Sequence, residues 1–398
     1  MRHYRLISSP ESIASAKMRL YLRWRNIPVR ETTANRLVLK SEVVPRLKRV
    51  DIPVLITPSN ETIQDSREMI DFLERREPGD RLVPEAPKEK FASRLIELFA
   101  DDWLAPVTSY AIWTGEDSRA AVSLAGMLYP EHGEKELARV ARMLDAQVRA
   151  KLGRQGLIEK TWTTQATRLT EFVALLDKHL SCHPYLLGAK PSVADCAVAA
   201  GLIALWSESR FGAELSAKVP AVTAWVHHIN GGGTGVLRPM AKSDTDTLPG
   251  LLRFMAEQVL PHALGATEAA ADWADSHPGR INLPRSIGSS SGKRDPMGVS
   301  RDFTPSTAWL LQRVLETLDV EGAKRSAAFN ALLRDSGCEM LTRYSPRREL
   351  RHEHHRFRVN IDTKSMENPV NIHELAEPLL RARKASVETR DLERLVLS

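Results

Sequence analysis

Cysteine is scarce in this chain of 398 residues, which contains only three. Cys182, Cys196 and Cys338 lie far apart and are odd in number, so they do not form the paired framework of a disulfide-stabilised protein. No two of them have the Cys-x-x-Cys spacing of structural zinc sites. Cysteine usage therefore indicates a reducing compartment. Cys182 and Cys196 lie in or beside apolar helical sequence, where we interpret them as buried, unreactive thiols.

Long apolar runs are also missing. No run approaches the roughly 18 residues needed to span a bilayer. The first seven residues lead directly into a strand-like run and lack the apolar core of a secretion signal. With 42% hydrophobic and 27% charged residues, the composition is that of a soluble globular protein. We therefore expect a cytoplasmic protein with no membrane span.

Positive charge is modest overall, at +6, but it is concentrated between Arg347 and Arg358, where five arginines and three histidines face two glutamates. This segment lacks both interleaved stacking aromatics and a known nucleic-acid-reading motif, so a solvated basic face is favoured over a nucleic-acid surface. In a helix, His352 and His355 would share one face, but the neighbouring arginines would repel a cation. We predict no nucleic-acid partner and no metal.

Periodicity and breakers divide the chain into three parts. Residues 1–80 read as β-α-β, a connection, then β-β-α, and a proline-rich charged linker follows between 78 and 87. Residues 88–240 follow helical patterns. Residues 241–398 form an extension with helical stretches near 251–263 and 308–318 and a long loop near 280–299. We find no internal repeat.

Three local motifs follow one another along the first two parts. Ser12-Ile13-Ala14-Ser15 opens the first helix, Ile52-Pro53-Val54 precedes Asp65-Ser66, and Ser192-Val193-Ala194-Asp195 follows Tyr185-Leu186-Leu187-Gly188. Their order and spacing resemble the cytosolic glutathione transferase superfamily, over roughly residues 3–230, with the opening most like its bacterial and metaxin-like branches. The resemblance implies an α/β thioredoxin-like N-terminal domain plus an all-α glutathione transferase C-terminal domain, here followed by a mostly α extension. It also assigns Asp195 to a buried folding role.

The resemblance implies a glutathione site in the first domain. The proline that matches Pro53 is cis in this superfamily, and Ile52 before it would pair its backbone with the cysteinyl part of the peptide. Ser66 and the helix N-terminus would bind the γ-glutamyl carboxylate, and Asp65 the ammonium group. The alternative is that Asp65 and Ser66 only cap the helix.

The same resemblance places a thiol-activating hydroxyl at Ser12, with Ser9 or Ser15 as alternatives if the loop register differs. A hydroxyl there donates a hydrogen bond to the thiolate and lowers the pKa of the thiol. Ser12 alternatively serves only as the N-cap of the first helix. No cysteine occupies this position, which argues against disulfide chemistry.

The resemblance also implies an electrophile pocket between the two domains, lined by the first long helix of the second part. Trp103, Tyr110 and Trp113 would lie on roughly one face if the helix is continuous, although Pro106 falls between them. The alternative is that these aromatic side chains belong to the core.

Two functions remain open. The first is a glutathione transferase that activates glutathione for conjugation to, or reduction of, a small hydrophobic electrophile, and the family implies a homodimer. The second is a non-catalytic binding or scaffold protein that uses the extension for partner contacts.

Overall fold

The computed structural model describes residues 3–233, 246–290, 299–318, 326–360, 372 and 374–381. The chain begins with alternating strands and helices. These elements are β1 Tyr4–Ser8, α1 Ile13–Trp24, β2 Val29–Thr33, α2 Arg36–Val38, a π-helical turn Leu39–Val43, α3 Val44–Leu47, β3 Val54–Ile56, β4 Thr62–Gln64 and α4 Ser66–Arg76. The predicted β-α-β and β-β-α order is confirmed, with an additional short helical segment before β3.

The four strands form one mixed sheet in the order β2-β1-β3-β4. β1 runs parallel to β2 and antiparallel to β3, and β3 runs antiparallel to β4. The register pairs Ile7 near the end of β1 with Val54 at the start of β3, and Val54 with Gln64 at the end of β4. The chain segments after β1, before β3 and after β4 therefore lie at the same end of the sheet.

Helices make up most of the rest of the described chain. They are α5 Pro87–Phe99, a π-helical segment Ala100–Leu104, α6 Ala105–Thr114, α7 Ala120–Leu128, α8 Glu134–Arg154, α9 Glu159–Cys182, α10 Val193–Glu208, α11 Arg210–Ser216, α12 Pro220–Asn230, α13 Leu248–Ser276, α14 Pro305–Leu315 and α15 Ala327–Asp335. A 3-10 helix, Glu339–Arg343, precedes the hairpin strands β5 Leu350–Glu353 and β6 Arg356–Val359. The predicted thioredoxin-like domain, helical domain and mostly helical extension are all present.

The chain forms two compact units. Unit 1 contains residues 1–83, 104–152 and 180–242, and unit 2 contains 84–103, 153–179 and 243–398. The extension therefore packs into one unit with two pieces of the predicted second domain. The division into 1–80, 88–240 and 241–398 stays a prediction about independently folding domains.

In unit 1, the packing of α10 depends on Asp195. Ser192 and Asp195 form the predicted capping box, and the Asp195 carboxylate accepts hydrogen bonds from Leu186 N–H, Ser192 N–H and O–H, and Trp225 Nε1–H. The residue is fully buried. Burial raises the pKa of Asp195 to about 6, against the opposing effect of these four donors. Its position supports the folding role that the resemblance implied.

In unit 2, α13 packs along α5 and α14, and an aromatic cluster forms between α5, α9 and α13. Phe99 stacks on Trp103 with ring centroids 5.0 Å apart, and Phe172 stacks on Phe254 at 6.0 Å. All four rings approach one another within 6.4 Å. The extension therefore contributes directly to the core that buries α5.

The basic segment forms the β5–β6 hairpin of unit 2. The His352 ring lies 5.7 Å from Trp309 and 4.7 Å from Phe357, and His355 lies in the turn of the hairpin, so the two histidines do not share a helix face. Arg347 forms ion pairs with Glu268, Asp272 and Asp275 of α13. Much of the positive charge at the start of this segment is thus compensated by acidic residues on a neighbouring helix.

Candidate functional site

The end of the sheet defined by the β1–β3–β4 register is where the predicted glutathione-site residues meet. The loop after β1 carries Ser9 and Ser12, the segment before β3 carries Ile52 and Pro53, and Asp65 follows β4 directly. Helices α1 and α4 both begin at this end, and they pack against each other. Because unpaired N–H groups and the positive end of the helix dipole are found at helix N-termini, this end of the sheet favours anionic groups.

Ser12 caps α1. Its Oγ accepts a hydrogen bond of 3.1 Å from the N–H of Ser15, and its φ of −91° and ψ of 115° are typical of an N-cap. A hydroxyl that accepts from the backbone keeps its own proton for donation. The cap role and the thiol-activating role are therefore compatible, although the sequence presented them as alternatives.

The three candidate hydroxyls differ in access. Ser12 is half-buried, whereas Ser9 and Ser15 are 2% and 0% exposed. The Oγ of Ser9 donates to Glu11 at 2.5 Å, and the Oγ of Ser15 accepts from the N–H of Ser9 at 3.4 Å. Of the three, Ser12 is the one whose hydroxyl a ligand can reach without rearrangement of buried groups.

The Ile52–Pro53 peptide bond is cis, as the resemblance implied. Pro53 is buried and Ile52 is half-buried. Since Ile52 precedes β3 at this end of the sheet, its backbone is placed to pair with an extended peptide.

Asp65 caps α4, and its φ of 78° is a conformation rare for residues other than glycine. Its Oδ1 accepts from the N–H and from the Nε of Arg67, at 2.9 and 2.7 Å. Ser66 is 6% exposed and begins the helix. A carboxylate, a guanidinium and a helix N-terminus are thus adjacent, which is a suitable set for a group carrying both an ammonium and a carboxylate.

Glu11, next to Ser12, was not among the residues singled out in the sequence. Its carboxylate accepts from the hydroxyl of Ser9 and, at 2.8 Å, from the hydroxyl of Ser123 on α7. Its position next to Ser12 is visible in the sequence, but nothing local indicates a partner 112 residues away. Glu11 therefore connects the loop that carries Ser12 to α7.

Of the three predicted pocket aromatics, Trp103 belongs to unit 2 and the other two to unit 1, and the pocket itself stays a prediction. Trp103 is 2% exposed in the aromatic cluster of unit 2, where its Nε1 donates to Gln165 at 3.0 Å, so it packs as a core residue. Tyr110 and Trp113 lie on α6 of unit 1, three residues apart and each 8% exposed.

The helix containing these aromatics runs on through Pro106, but its hydrogen-bond pattern changes just before that residue. Pro106 lacks the N–H that would bond to the carbonyl of Asp102, and the π-helical segment Ala100–Leu104 lies at this point. The Asp102 carbonyl oxygen instead accepts a hydrogen bond of 3.4 Å from Nη2 of Arg301. Asp102 and Arg301 both belong to unit 2.

The described residues also bear on metal binding and on membrane spanning. Within those ranges, no three His, Cys, Asp or Glu side chains are grouped as a metal would require. None of the helices described there combines the length and hydrophobicity that crossing a bilayer demands.

Several solved structures are similar to part of this chain. The β-etherase LigF of Sphingobium sp. strain SYK-6 is 17% identical, over 63% of this chain and 98% of its own, with a TM-score of 0.45. A glutathione S-transferase of Methylobacillus flagellatus KT, solved with glutathione bound, is 22% identical over 58% and 100%, with a TM-score of 0.38. FzlA of C. crescentus is 19% identical over 63% and 92%, also with a TM-score of 0.38. A search of curated proteins finds no match.

Family models identify both domains. Residues 6–81 match the glutathione S-transferase N-terminal domain, which contains all the candidate glutathione-site residues. Residues 131–228 match the glutathione S-transferase C-terminal domain, which contains the Ser192–Asp195 capping box. With both domains present and in the family's order, the chain belongs to the glutathione transferase superfamily.

Proposed function

We propose that this protein binds glutathione at the α1 and α4 end of the sheet and activates its thiol for attack on a small hydrophobic electrophile. The observation that carries the proposal is the meeting, at one end of one sheet, of the Ser12 cap, the Ile52–Pro53 segment and the Asp65 cap. Each of these three features is common in proteins by itself. Together they provide a donor for a thiolate, backbone groups that can pair with an extended peptide, and charged groups for the γ-glutamyl end of glutathione.

In this proposal Ser12 stabilises the thiolate. Its Oγ already accepts from the N–H of Ser15, and the hydroxyl keeps its own proton for donation to sulfur. A hydrogen bond to the charged form lowers the pKa of the thiol, and the N-terminus of α1 acts in the same direction. The proton leaves to solvent.

Asp65, Ser66 and Arg67 bind the γ-glutamyl end. The half-buried Asp65 carboxylate accepts from the ammonium group while it keeps its bonds to Arg67. The α-carboxylate of the γ-glutamyl residue lies at the start of α4, beside the Ser66 N–H and the Arg67 guanidinium. The Ile52 backbone pairs with the cysteinyl residue, which follows the γ-glutamyl residue in the peptide.

The test replaces Ser12 by alanine and measures glutathione affinity by calorimetry and conjugation to an activated aryl chloride. We expect nearly unchanged affinity and a fall in kcat of roughly 10- to 100-fold, the equivalent of one hydrogen bond to a charged group. Loss of the cap also costs about 1 kcal/mol of stability. Ser326→Ala is the matched control, because Ser326 caps α15 in the same way, by accepting from the N–H of Phe329.

The two variants separate catalysis from capping. Both are expected to lower the melting temperature, and only Ser12→Ala is expected to lower kcat. Wild-type protein that does not bind millimolar glutathione contradicts the proposal. Wild-type protein that binds glutathione but turns over no electrophile points instead to the non-catalytic binding or scaffold function.

Two further expectations belong with this proposal. We propose a homodimer, as the family resemblance implies, which sedimentation equilibrium tests directly.

We also propose a cytoplasmic location, supported by three cysteines that form no disulfide with one another. Microscopy of the tagged full-length chain tests the location.

A further inference from the structure

The helical segment between β2 and β3 carries apolar side chains on two opposite sides. It comprises α2, the π-helical turn and α3, residues 36–47, and lies in unit 1. On its inner side, Val43 and Leu47 are buried in a cluster with Ile7 and Val54 of the sheet. Burial of this side explains why the segment packs on the sheet. It does not explain the apolar side chains on the other side.

Three exposed apolar side chains lie on or just after this segment. Leu37 is 72% exposed, Val50 is 54% exposed, and Val44 between them is also exposed. They are three of the six large apolar side chains that are exposed in the described part of the chain. A single exposed apolar side chain is normal on a protein surface, whereas a group of them indicates a binding surface.

Helical spacing places lysines among these apolar residues. Residues three, four and seven positions apart lie on the same side of a helix, so Leu37, Lys40, Ser41, Val44 and Lys48 share one side. The hydroxyl of Ser41 donates to the carbonyl of Leu37 at 2.8 Å, as stacking of residues four apart requires. All five residues are exposed. We call this side, together with the adjacent Val50, the outer face.

The positive charge of the outer face is not compensated within the segment. Glu42 is the only acidic residue among positions 36–48, which contain four basic ones. Its carboxylate is half-buried and accepts a hydrogen bond of 2.9 Å from Arg5. In the part of the chain that the structure describes, neither Lys40 nor Lys48 has an ion-pair partner. Both ammonium groups are therefore available to an anion outside the chain.

The composition of the outer face favours a lipid surface over a protein partner. The centres of protein interfaces are enriched in aromatic residues, methionine and arginine, and are depleted in lysine. The outer face has the opposite composition, with lysine and aliphatic side chains and no aromatic residue. Helices that lie on membranes combine lysine with apolar side chains, because the long lysine stem keeps the ammonium group among the headgroups while the apolar groups enter the acyl boundary.

We propose that the outer face attaches this protein reversibly to the surface of an anionic lipid bilayer. Leu37, Val44 and Val50 enter the boundary between headgroups and acyl chains, and Lys40 and Lys48 contact lipid phosphates. Both kinds of contact are needed, since few apolar side chains take part and each lysine contributes modestly. The segment lies on the bilayer, and its attachment is independent of the proposed glutathione chemistry.

The first test measures binding of the full-length protein to vesicles by co-sedimentation. Vesicles of phosphatidylcholine alone are compared with vesicles of phosphatidylcholine and phosphatidylglycerol in a ratio of about two to one. We expect binding to the anionic vesicles only. The affinity is expected to fall roughly tenfold or more when the salt concentration rises from about 0.1 M to about 1 M, because salt screens the attraction between lysine and phosphate.

The second test concerns the lysines. In the double variant Lys40→Glu and Lys48→Glu, affinity for the anionic vesicles is expected to fall roughly 30-fold or more, since each lysine near an anionic surface contributes about fivefold. The matched control is Lys135→Glu with Lys151→Glu, two exposed positions on α8 in the same unit, which gives the same net charge. Equal losses in the two double variants would show that only net charge matters and would overturn the proposal.

The third test concerns the apolar contacts. Leu37→Gln is expected to lower affinity for the anionic vesicles roughly tenfold, as loss of one partly buried leucine predicts. Met143→Gln is the control, because Met143 is also an exposed apolar residue of a helix, α8. Leucine, methionine and glutamine have similar helix propensities, so both variants should keep the wild-type melting temperature.

Three outcomes contradict the proposal. In the first, wild-type protein does not bind the anionic vesicles at about 0.1 M salt, which leaves the proposed glutathione function untouched. In the second, binding is unchanged in Leu37→Gln and in the Lys40 and Lys48 variant, so another surface attaches the protein. In the third, wild-type protein ignores vesicles but self-associates in sedimentation velocity, and Leu37→Gln abolishes the association. The outer face is then an interface between copies of this chain.

Discussion

Asp195 is a case in which a residue's environment acts on its charge in two directions. Its carboxylate is fully buried, which disfavours the ionised form, yet four donors point at it, which favours that form. The net result is a pKa raised to about 6 by burial. In the unfolded chain the same group has an ordinary, lower pKa. The folded state therefore binds this proton more tightly than the unfolded state does.

This difference predicts how the contribution of Asp195 to stability depends on pH. A raised folded-state pKa gives a contribution that is complete below about pH 4 and is lost as the pH rises through about 6. Two pKa units correspond to about 3 kcal/mol. The free energy of unfolding, measured by urea titration for wild type and Asp195→Asn, is therefore expected to differ more at about pH 4 than at about pH 8.

The way in which the difference in unfolding free energy changes with pH shows whether burial or hydrogen bonding dominates the pKa of Asp195. If the four hydrogen bonds outweighed burial, the difference between wild type and Asp195→Asn would shrink at low pH. Should the variant fail to fold, the carboxyl carbon resonance of Asp195 in wild-type protein, followed by NMR against pH, reports the same pKa directly.

At the residue scale, contacts between residues a few positions apart could be predicted from the sequence, and contacts between residues far apart in the chain could not. The caps at Ser12, Asp65 and Ser192–Asp195 were visible because capping depends on residues within a few positions of the helix start. The bond from Glu11 to Ser123 depends on how the chain folds back over 112 residues. The packing of Trp103 in the core of unit 2 likewise depends on Phe254, in a part of the chain that no local pattern connected to it.

At the element scale, the junction of α10 and α11 depends on Gly212. A Cβ atom there would lie 2.1 Å from the carbonyl oxygen and 2.8 Å from the side chain of Leu205 in α10. The backbone of α10 or of α11 must therefore move before position 212 can accept even alanine. We expect Gly212→Ala to lower the free energy of unfolding by about 3 kcal/mol or more, at the upper end of overpacking effects, as measured by urea or thermal unfolding.

Gly201→Ala in α10 is the matched control for that prediction. Gly201 is also buried, but its added Cβ would meet Leu104 and Thr108 at 3.4 to 3.6 Å, which is ordinary contact. Because alanine favours a helix over glycine by about 1 kcal/mol, this substitution is expected to be neutral or stabilising. Equal effects of the two alanines would show that the α10–α11 junction does not depend on close backbone contact.

Elements with strong periodicity were predicted well and irregular elements were not. The four strands β1 to β4 and the helices α1 and α4 follow from alternation, spacing and breakers, whereas α2 and α3 were not predicted. The π-helical segments Leu39–Val43 and Ala100–Leu104 have no local signature, since they arise where the helix adapts to packing or to Pro106. The β5–β6 hairpin was read as a basic segment because its arginines concealed the alternation. Arg347 and Arg348, which precede the hairpin, are paired with acidic residues of α13.

For the molecule as a whole, the sequence division and the packing differ in what they imply for folding. The sequence was divided into residues 1–80, residues 88–240 and an extension, residues 241–398, whose packing was left open. In the structure, α13, α14 and α15 all pack on α5, and Phe329 of α15 lies 5.6 Å from Phe91. Four side chains of α5, Phe91, Leu95, Leu98 and Phe99, are fully buried in this unit.

A chain ending at residue 240 is therefore expected not to fold stably. Each large apolar side chain exposed by the deletion costs about 1.5–3 kcal/mol, so four together approach the roughly 5–15 kcal/mol by which whole domains are stable. The fragment should bind a hydrophobic dye, lack a cooperative melting transition and aggregate. A chain ending at Arg381 is the control, because it keeps every described contact of unit 2, and it should melt like the full-length protein. A fragment of residues 1–240 that melts cooperatively near the full-length temperature would show instead that the extension is an appendage to a complete glutathione transferase fold.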